Sequence, residues 1–116
     1  MRLSELRLRQ SHPWRTILRE VRKRAKKKGL ACDLTNGWAS ERWTGRCEIS
    51  GLKFVSSDTG KFSIFTASID RLDADLGYTQ GNCRFVLLAV NMLKGIGTDD
   101  EMFEIAQAIV NKRARR

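Results

Sequence analysis

A handful of residues in this 116-residue chain have side chains and spacing suited to chemistry on phosphate. Asp70 and Arg71 stand in Ser68-Ile-Asp-Arg-Leu-Asp73, Asn82 follows the turn-rich Gly77-Tyr-Thr-Gln-Gly81, and Asn91-Met-Leu-Lys94 comes after it. A carboxylate and an amide carbonyl are oxygen donors of the kind a hard cation such as Mg²⁺ takes, while it keeps several waters and binds phosphate. An ion so held can stabilise charge on a phosphate and on a leaving 3′ oxygen. Taken singly, these residues have ordinary uses. An Asp-Arg step in a strand forms surface pairs, and Asn after Gly is a common turn residue. Their joint order carries the information.

Several elements must position that set. Residues 67–72 read as a strand, 82–86 as its partner, and 87–94 as a helix stopped by Gly95-Ile-Gly97. Thr98 with Glu101 three residues on is a capping-box signature for a last helix through about Asn111. Met102, Phe103, Ile105, Ala106, Ile109 and Val110 are expected to be its buried side. Upstream, residues 47–54 and 61–66 read as short strands around a turn-rich 56–60. Residues 35–43 read as a short helix whose Trp38 and Trp43 pack in the core.

The N-terminal region predicts another helix. Ser11 and Pro13 mark its entry and Gly29 its end, with Trp14, Ile17 or Leu18, Val21 and Ala25 at helical spacing. Its opposite face is Arg15, Arg19, Arg22, Lys23, Lys26 and Lys27, a cationic back on an apolar stripe. Residues 1–29 hold eleven Lys/Arg against two Glu, whereas the remainder holds eleven against eleven acids. The whole net charge of +9 therefore sits in the first quarter of the chain. That concentration is the footprint of a polyanion binder, since each neutralised phosphate releases counterions. An anionic membrane surface would attract it too, and a solvated basic arm is the plainer reading.

The length sets one domain, comprising a basic helical arm (1–29), a central unit (47–95) and a C-terminal helix (98–112). No apolar run is long enough for a bilayer, and Met1 to Arg9 lacks a secretory core, so a cytoplasmic location is expected. Cys32, Cys47 and Cys83 are odd in number and lack paired spacing, which fits reduced thiols.

The order Asp70-Arg71, Asn82, Asn91-x-x-Lys94 resembles the HNH nucleases of the ββα-metal, or His-Me finger, superfamily. The wording Ser68-x-Asp-Arg-x-Asp73 is similar to small phage-type members with Asp-Arg in place of Asp-His. The resemblance covers Cys47 to Lys94 and implies an α+β fold, a ββα finger flanked by the basic N-terminal helix and a C-terminal helix. It implies that Asp70 and Asn91 bind one divalent ion, Mg²⁺ or Mn²⁺, and that Asn82 shapes the loop between them. Asp70, Arg71, Asn82 and Asn91 form the expected catalytic set, and Lys94 joins the helical cations as an expected DNA contact. Replacing Asp70 by Ala is expected to remove ion binding with the fold intact.

Two departures from the family matter. Zinc-bearing relatives have two Cys-x-x-Cys pairs, whereas here Ser50, Leu87 and Val90 stand at three of those positions, leaving only Cys47. Tetrahedral zinc is excluded there, and an apolar contact replaces it. Arg71 takes the place of the general-base histidine, and a guanidinium cannot accept a proton from water. Either Arg71 clamps phosphate while the metal, Asp73, Asp75 or Tyr78 activates the water, or the finger binds without cutting. The expected activity is weakly selective hydrolysis of DNA phosphodiesters by a metal-dependent endonuclease, in a bacterial or phage-infected cell. A catalytically silent nucleic-acid-binding protein is the alternative, and a basic interaction protein a third.

Overall fold

A computed structural model describes residues 12–56 and 63–115, together with Leu3. Among these residues the elements are α1 (Trp14–Lys28), α2 (Asn36–Arg42), β1 (Ala67–Arg71), β2 (Cys83–Leu87), α3 (Leu88–Lys94) and α4 (Asp99–Ala114). The architecture is α+β: an antiparallel β1–β2 hairpin runs directly into α3, with helices on its flanks. Ser11, residues 57–62 and Arg116 lie outside the described residues.

The amphipathic pattern of α1 does what it predicts. Trp14, Leu18, Val21 and Ala25 are buried, and they join Leu34, Ala39, Ile69, Tyr78, Cys83 and Phe85 in one core. The tryptophans are core residues. Trp38 stacks on Phe85 with centroids 5.4 Å apart, and Trp43 meets the same ring edge-on at 5.0 Å. α2 is capped by Thr35, whose side chain accepts from the Trp38 backbone N–H.

Two segments expected as strands are not strands. Residues 47–54 form a tight turn, with a single bridge between Arg46 and Lys53. Gly51 sits at φ +75°, where the chain doubles back and the Cys47 N–H donates to Leu52 O at 2.8 Å. A side chain at that φ would be strained, so the residue type favours reversal over extension. The turn docks on β2 through Glu48, whose carboxylate accepts from the Phe85 N–H at 2.7 Å. The described part of 61–66 is also a turn. Its Ile64 and Thr66 carbonyls accept from Ala89 and Leu88, which satisfies orphan N–H groups at the start of α3.

Cys47, Val86 and Leu87 make a second small core, with Val90 packed against it. The apolar contact expected at the zinc-knuckle positions is thus in place. Cys47 Sγ accepts from the Ser50 N–H at 3.4 Å inside the turn. All three cysteines are free thiols, and burial pushes Cys83 up to about 12. No helix among the described residues is long and apolar enough to cross a membrane.

The C-terminal helix departs from expectation. The Thr98–Glu101 capping box is present, but only Met102 is buried on α4. Phe103, Ile105, Ile109 and Val110 are exposed and Ala106 half-buried, because the helix runs past the body after its first turns. The apolar period is real, but the body is too short to cover it.

Candidate active site at the hairpin and α3

Strand register places Asp70 directly opposite Arg84. The Arg84 Nε and Nη2 atoms both lie 2.9 Å from Asp70 Oδ2. Lys94, in the last turn of α3, sets its Nζ 3.2 and 3.1 Å from the two Asp70 oxygens and 2.9 Å from Arg71 O. Asp99, in the first turn of α4, accepts from both terminal nitrogens of Arg84 at 2.9 and 2.6 Å and lies 3.5 Å from Lys94 Nζ. Two acids and two bases from four elements therefore close into one neutral cluster. Asp70 is 5% exposed and Lys94 7%, so the cluster is largely shut from water.

This burial corrects the role expected of Lys94. Its ammonium is turned inward onto Asp70 and Arg71 O, and is not available as a surface contact for DNA. Burial also overturns the expectation that Asp70→Ala leaves the fold intact, because the change strands two buried cations. Arg84 and Asp99 were missed in the sequence. Strand register carries the signal for Arg84, and the Thr98 cap reads Asp99 only as a helix-start acid.

The cluster has a pH consequence. The hydrogen bond from Arg84 holds Asp99 below the usual carboxylate range. Burial works against the charge on Arg84, but the hydrogen bonds to Asp99 and Asp70 carry its pKa upward overall. A depressed carboxylate pKa adds stability above the unfolded value, and that stability is lost as pH falls through the folded value. Thermal melts should therefore show stability dropping as pH falls below about 4, and Asp99→Asn should flatten that acid limb.

Asn82 holds the loop between the strands. Its Oδ1 accepts from the Asp73 N–H at 2.9 Å, while its Nδ2 donates to Asp73 O at 3.0 Å and Gly77 O at 2.9 Å. The loop is pinned from outside by residues 31–33, where the Tyr78 N–H donates to Ala31 O and Asp33 Oδ1 accepts from the Gln80 N–H. A Cβ on Gly77 would lie 2.5 Å from Ala31 O, so this approach requires glycine.

Arg71 is braced by the same loop. Its Nη1 donates to Ala74 O at 2.9 Å and Leu76 O at 3.1 Å, and the guanidinium lies 4.8 Å from the centre of the Tyr78 ring. Of five N–H donors, those on Nε and Nη2 have no partner among the described residues. Tyr78 is 3% exposed beneath this cation and its ring belongs to the core. Asp73 and Asp75 are exposed on the loop.

Asn91 lies one turn before Lys94 on α3. Its Nδ2 donates to Ser68 Oγ at 2.9 Å and Ile69 O at 3.2 Å, which leaves the amide oxygen as its unengaged end. β1 and α3 thus hold Asn91 against Ser68 and Ile69, on the strand that carries Asp70, whereas the Arg71 side chain turns to the loop at Ala74 and Leu76. One carboxylate and one amide oxygen are donor types a hard divalent ion takes, but Asp70 is buried and already holds Lys94 and Arg84. Asp70 Oδ2 is saturated by Lys94 and Arg84, whereas among the described residues Oδ1 accepts only from Lys94. No group of three or more His, Cys, Asp or Glu among the described residues is placed to hold a metal.

The cationic back of α1 is a separate surface. Arg15, Arg19, Arg22 and Lys23 line one shallow depression with Asn36, and Lys26 and Lys27 are exposed in the last turn. Arg22 also donates to Leu34 O at 3.1 Å, so it ties α1 to the body as well as carrying charge.

No protein-family model matches this chain, and no curated protein matches it. Among solved structures, it is similar to the rare-cutting HNH restriction endonuclease PacI, with a TM-score of 0.61 at 20% sequence identity. The match covers 84% of this chain and 76% of that one. The α+β hairpin-and-helix architecture described here is thus similar to the fold of an HNH nuclease.

Proposed function

We propose that this protein is a metal-dependent endonuclease that nicks DNA with little or weak sequence selectivity, in the cytoplasm of a bacterial or phage-infected cell. What supports this reading is Asn91 packed on β1 one residue from Asp70, beside a loop fixed by Asn82, in a fold similar to that of an HNH nuclease. Asp70 and Asn91 would hold one Mg²⁺ or Mn²⁺, which supplies Lewis-acid stabilisation of phosphate charge when bound.

The chain's own residues do the rest. Lys94 and Arg84 orient the Asp70 carboxylate, and Asn82 sets the loop that braces Arg71. With Nη1 fastened to the loop, Arg71 turns its remaining donors to a phosphate and offsets charge that develops in the transition state. Asp73 and Asp75 are the exposed carboxylates able to take a proton from the attacking water. The cations of α1 hold the DNA backbone. Their contribution is independent of sequence and sensitive to salt.

Two measurements bear on this. Asn91 lies outside the ion-pair cluster, so Asn91→Ala removes one proposed ligand without stranding a charge. Wild type should nick supercoiled plasmid in Mg²⁺ or Mn²⁺, and Asn91→Ala should not, although both bind DNA equally. Equal nicking by the two would remove Asn91 from the site. Separately, replacing Arg15, Arg19 and Lys23 by Gln should flatten the slope of log affinity against log salt by about 2–3. An unchanged slope would place the phosphate contacts elsewhere.

One observation favours a second reading, a catalytically silent DNA-binding finger. The bonds of Arg71 to Ala74 O and Leu76 O are a structural use that needs no chemistry.

A further inference from the structure

The Lys94 ammonium sits where a bound cation would sit. Its side chain is 3% exposed, and oxygens from three residues surround its Nζ. Asp70 Oδ1 and Oδ2 lie at 3.2 and 3.1 Å, Arg71 O at 2.9 Å and Asp99 Oδ1 at 3.5 Å. Carboxylate and carbonyl oxygens are also the donors that a hard divalent ion selects. An ammonium has three N–H donors, and this shell engages them.

α3 delivers the cation. Asn91 and Lys94 stand one turn apart, so the helix face that lays Asn91 on Ile69 O also lays Lys94 on Arg71 O. Charge then holds it there. Asp70 and Asp99 balance Arg84 and Lys94, and without the ammonium the cluster would keep one net negative charge. With the ammonium in place, an ion about 2.1 Å from an Asp70 oxygen would stand within about 5 Å of Nζ. Two like charges would then face each other at a carboxylate shut from water, where screening is weak. Ammonium and ion exclude each other.

We propose that Lys94 is a built-in competitor for the divalent ion: its ammonium fills the cation's place on Asp70, and an ion gains that carboxylate only as the ammonium leaves. The inference rests on the proposed reading of Asp70 as an ion ligand, and adds the residue that sets how tightly the ion is held. Wild type should therefore bind the ion weakly, and Lys94→Met should relieve the weakness. The new side chain is one atom shorter and uncharged, so it vacates the Nζ position inside its oxygen shell. Arg84 keeps Asp70 and Asp99 as partners, so no buried cation is stranded.

Mn²⁺ titration followed by electron paramagnetic resonance, on the full chain without DNA, tests it. Lys94→Met should bind one ion about 10- to 100-fold more tightly than wild type, the range over which groups around a metal change its affinity. Mn²⁺ should also raise the melting temperature of Lys94→Met, and adding Asp70→Asn should abolish both gains. Equal affinity in wild type and Lys94→Met would overturn the competition, and loss of that binding in Asn91→Ala would leave the metal reading standing alone. No ion bound by wild type or Lys94→Met would overturn both. A gain that survives Asp70→Asn would place the ion elsewhere and overturn the proposal. A second measurement needs no substitution. The shielded Lys94 ammonium of wild type should give a slowly exchanging ¹⁵N–H signal that fades as Mg²⁺ is added. That signal unchanged, while Mg²⁺ shifts the Asn91 side-chain amide, would overturn the proposal.

Discussion

Replacing Asp70 by Ala is expected to destabilise the protein by about 3–5 kcal/mol, because removing one member of a buried ion pair leaves its partner charge unpaired. The side chains left behind are Lys94, 3% exposed, and Arg84, 10% exposed. Asp99 remains to satisfy Arg84 and lies 3.5 Å from Lys94, which places the effect toward the lower end. Even that is a large share of a typical domain stability of about 5–15 kcal/mol. The expected drop in Tm is roughly 10–15 °C for a chain of this size. Pairing Asp70→Ala with Lys94→Met should recover part of the loss, because the double change removes the stranded cation together with its partner. Thermal melts of both single variants and the double give the coupling directly. An unchanged Tm for Asp70→Ala would mean that the cluster is open to water in solution. Loss of cleavage by Asp70→Ala is therefore no evidence of a lost metal ligand, and Asn91→Ala is the cleaner probe.

Arg71→Ala is expected to lower DNA nicking by about 10²–10³, the loss typical of one transition-state donor in a dry site. DNA affinity should hold within a few-fold if, as proposed, most phosphate contact runs through α1. Part of the loss will come through the loop, since the Nη1 bonds to Ala74 O and Leu76 O go with the side chain. Arg71→Lys separates the two contributions. An ammonium can reach a carbonyl but lacks the planar fork that grips a phosphate on one edge and a carbonyl on another. It should restore the melting temperature more fully than the rate. A variant that recovered both equally would make Arg71 a loop brace only.

What was legible in the sequence follows from range. α1 and the Thr98–Glu101 cap depend on residues close in sequence, and periodicity and capping chemistry locate them well. The hairpin into α3 was legible for a related reason, since Asp70, Asn82 and Asn91 punctuate it at readable intervals. The segment 47–54 misled because its composition suits a strand while Gly51 reverses it. Arg84 could be found only by fixing register, as a one-residue slip would turn it to the other face of the hairpin. In sequence Asp99 is simply an acid at a helix start, which it also is in the structure. Its clamp on Arg84 exists only because α3 folds back along the hairpin and starts α4 beside the second residue of β2. The exposed face of α4 is the opposite case: the apolar period is plain in the sequence, but its cover is not supplied by this body.

The most direct test of a working nuclease site at Asp70, Arg71 and Asn91 is a plasmid-nicking comparison of wild type and Arg71→His. Equal protein is incubated with supercoiled DNA in Mg²⁺ or Mn²⁺, with EDTA controls. The account predicts that wild type converts supercoiled to open-circular DNA, that EDTA stops it, and that Arg71→His is no faster. An imidazole there could accept a proton near working pH. An inert wild type beside an active Arg71→His would contradict the account and identify the natural protein as a finger that binds without cutting.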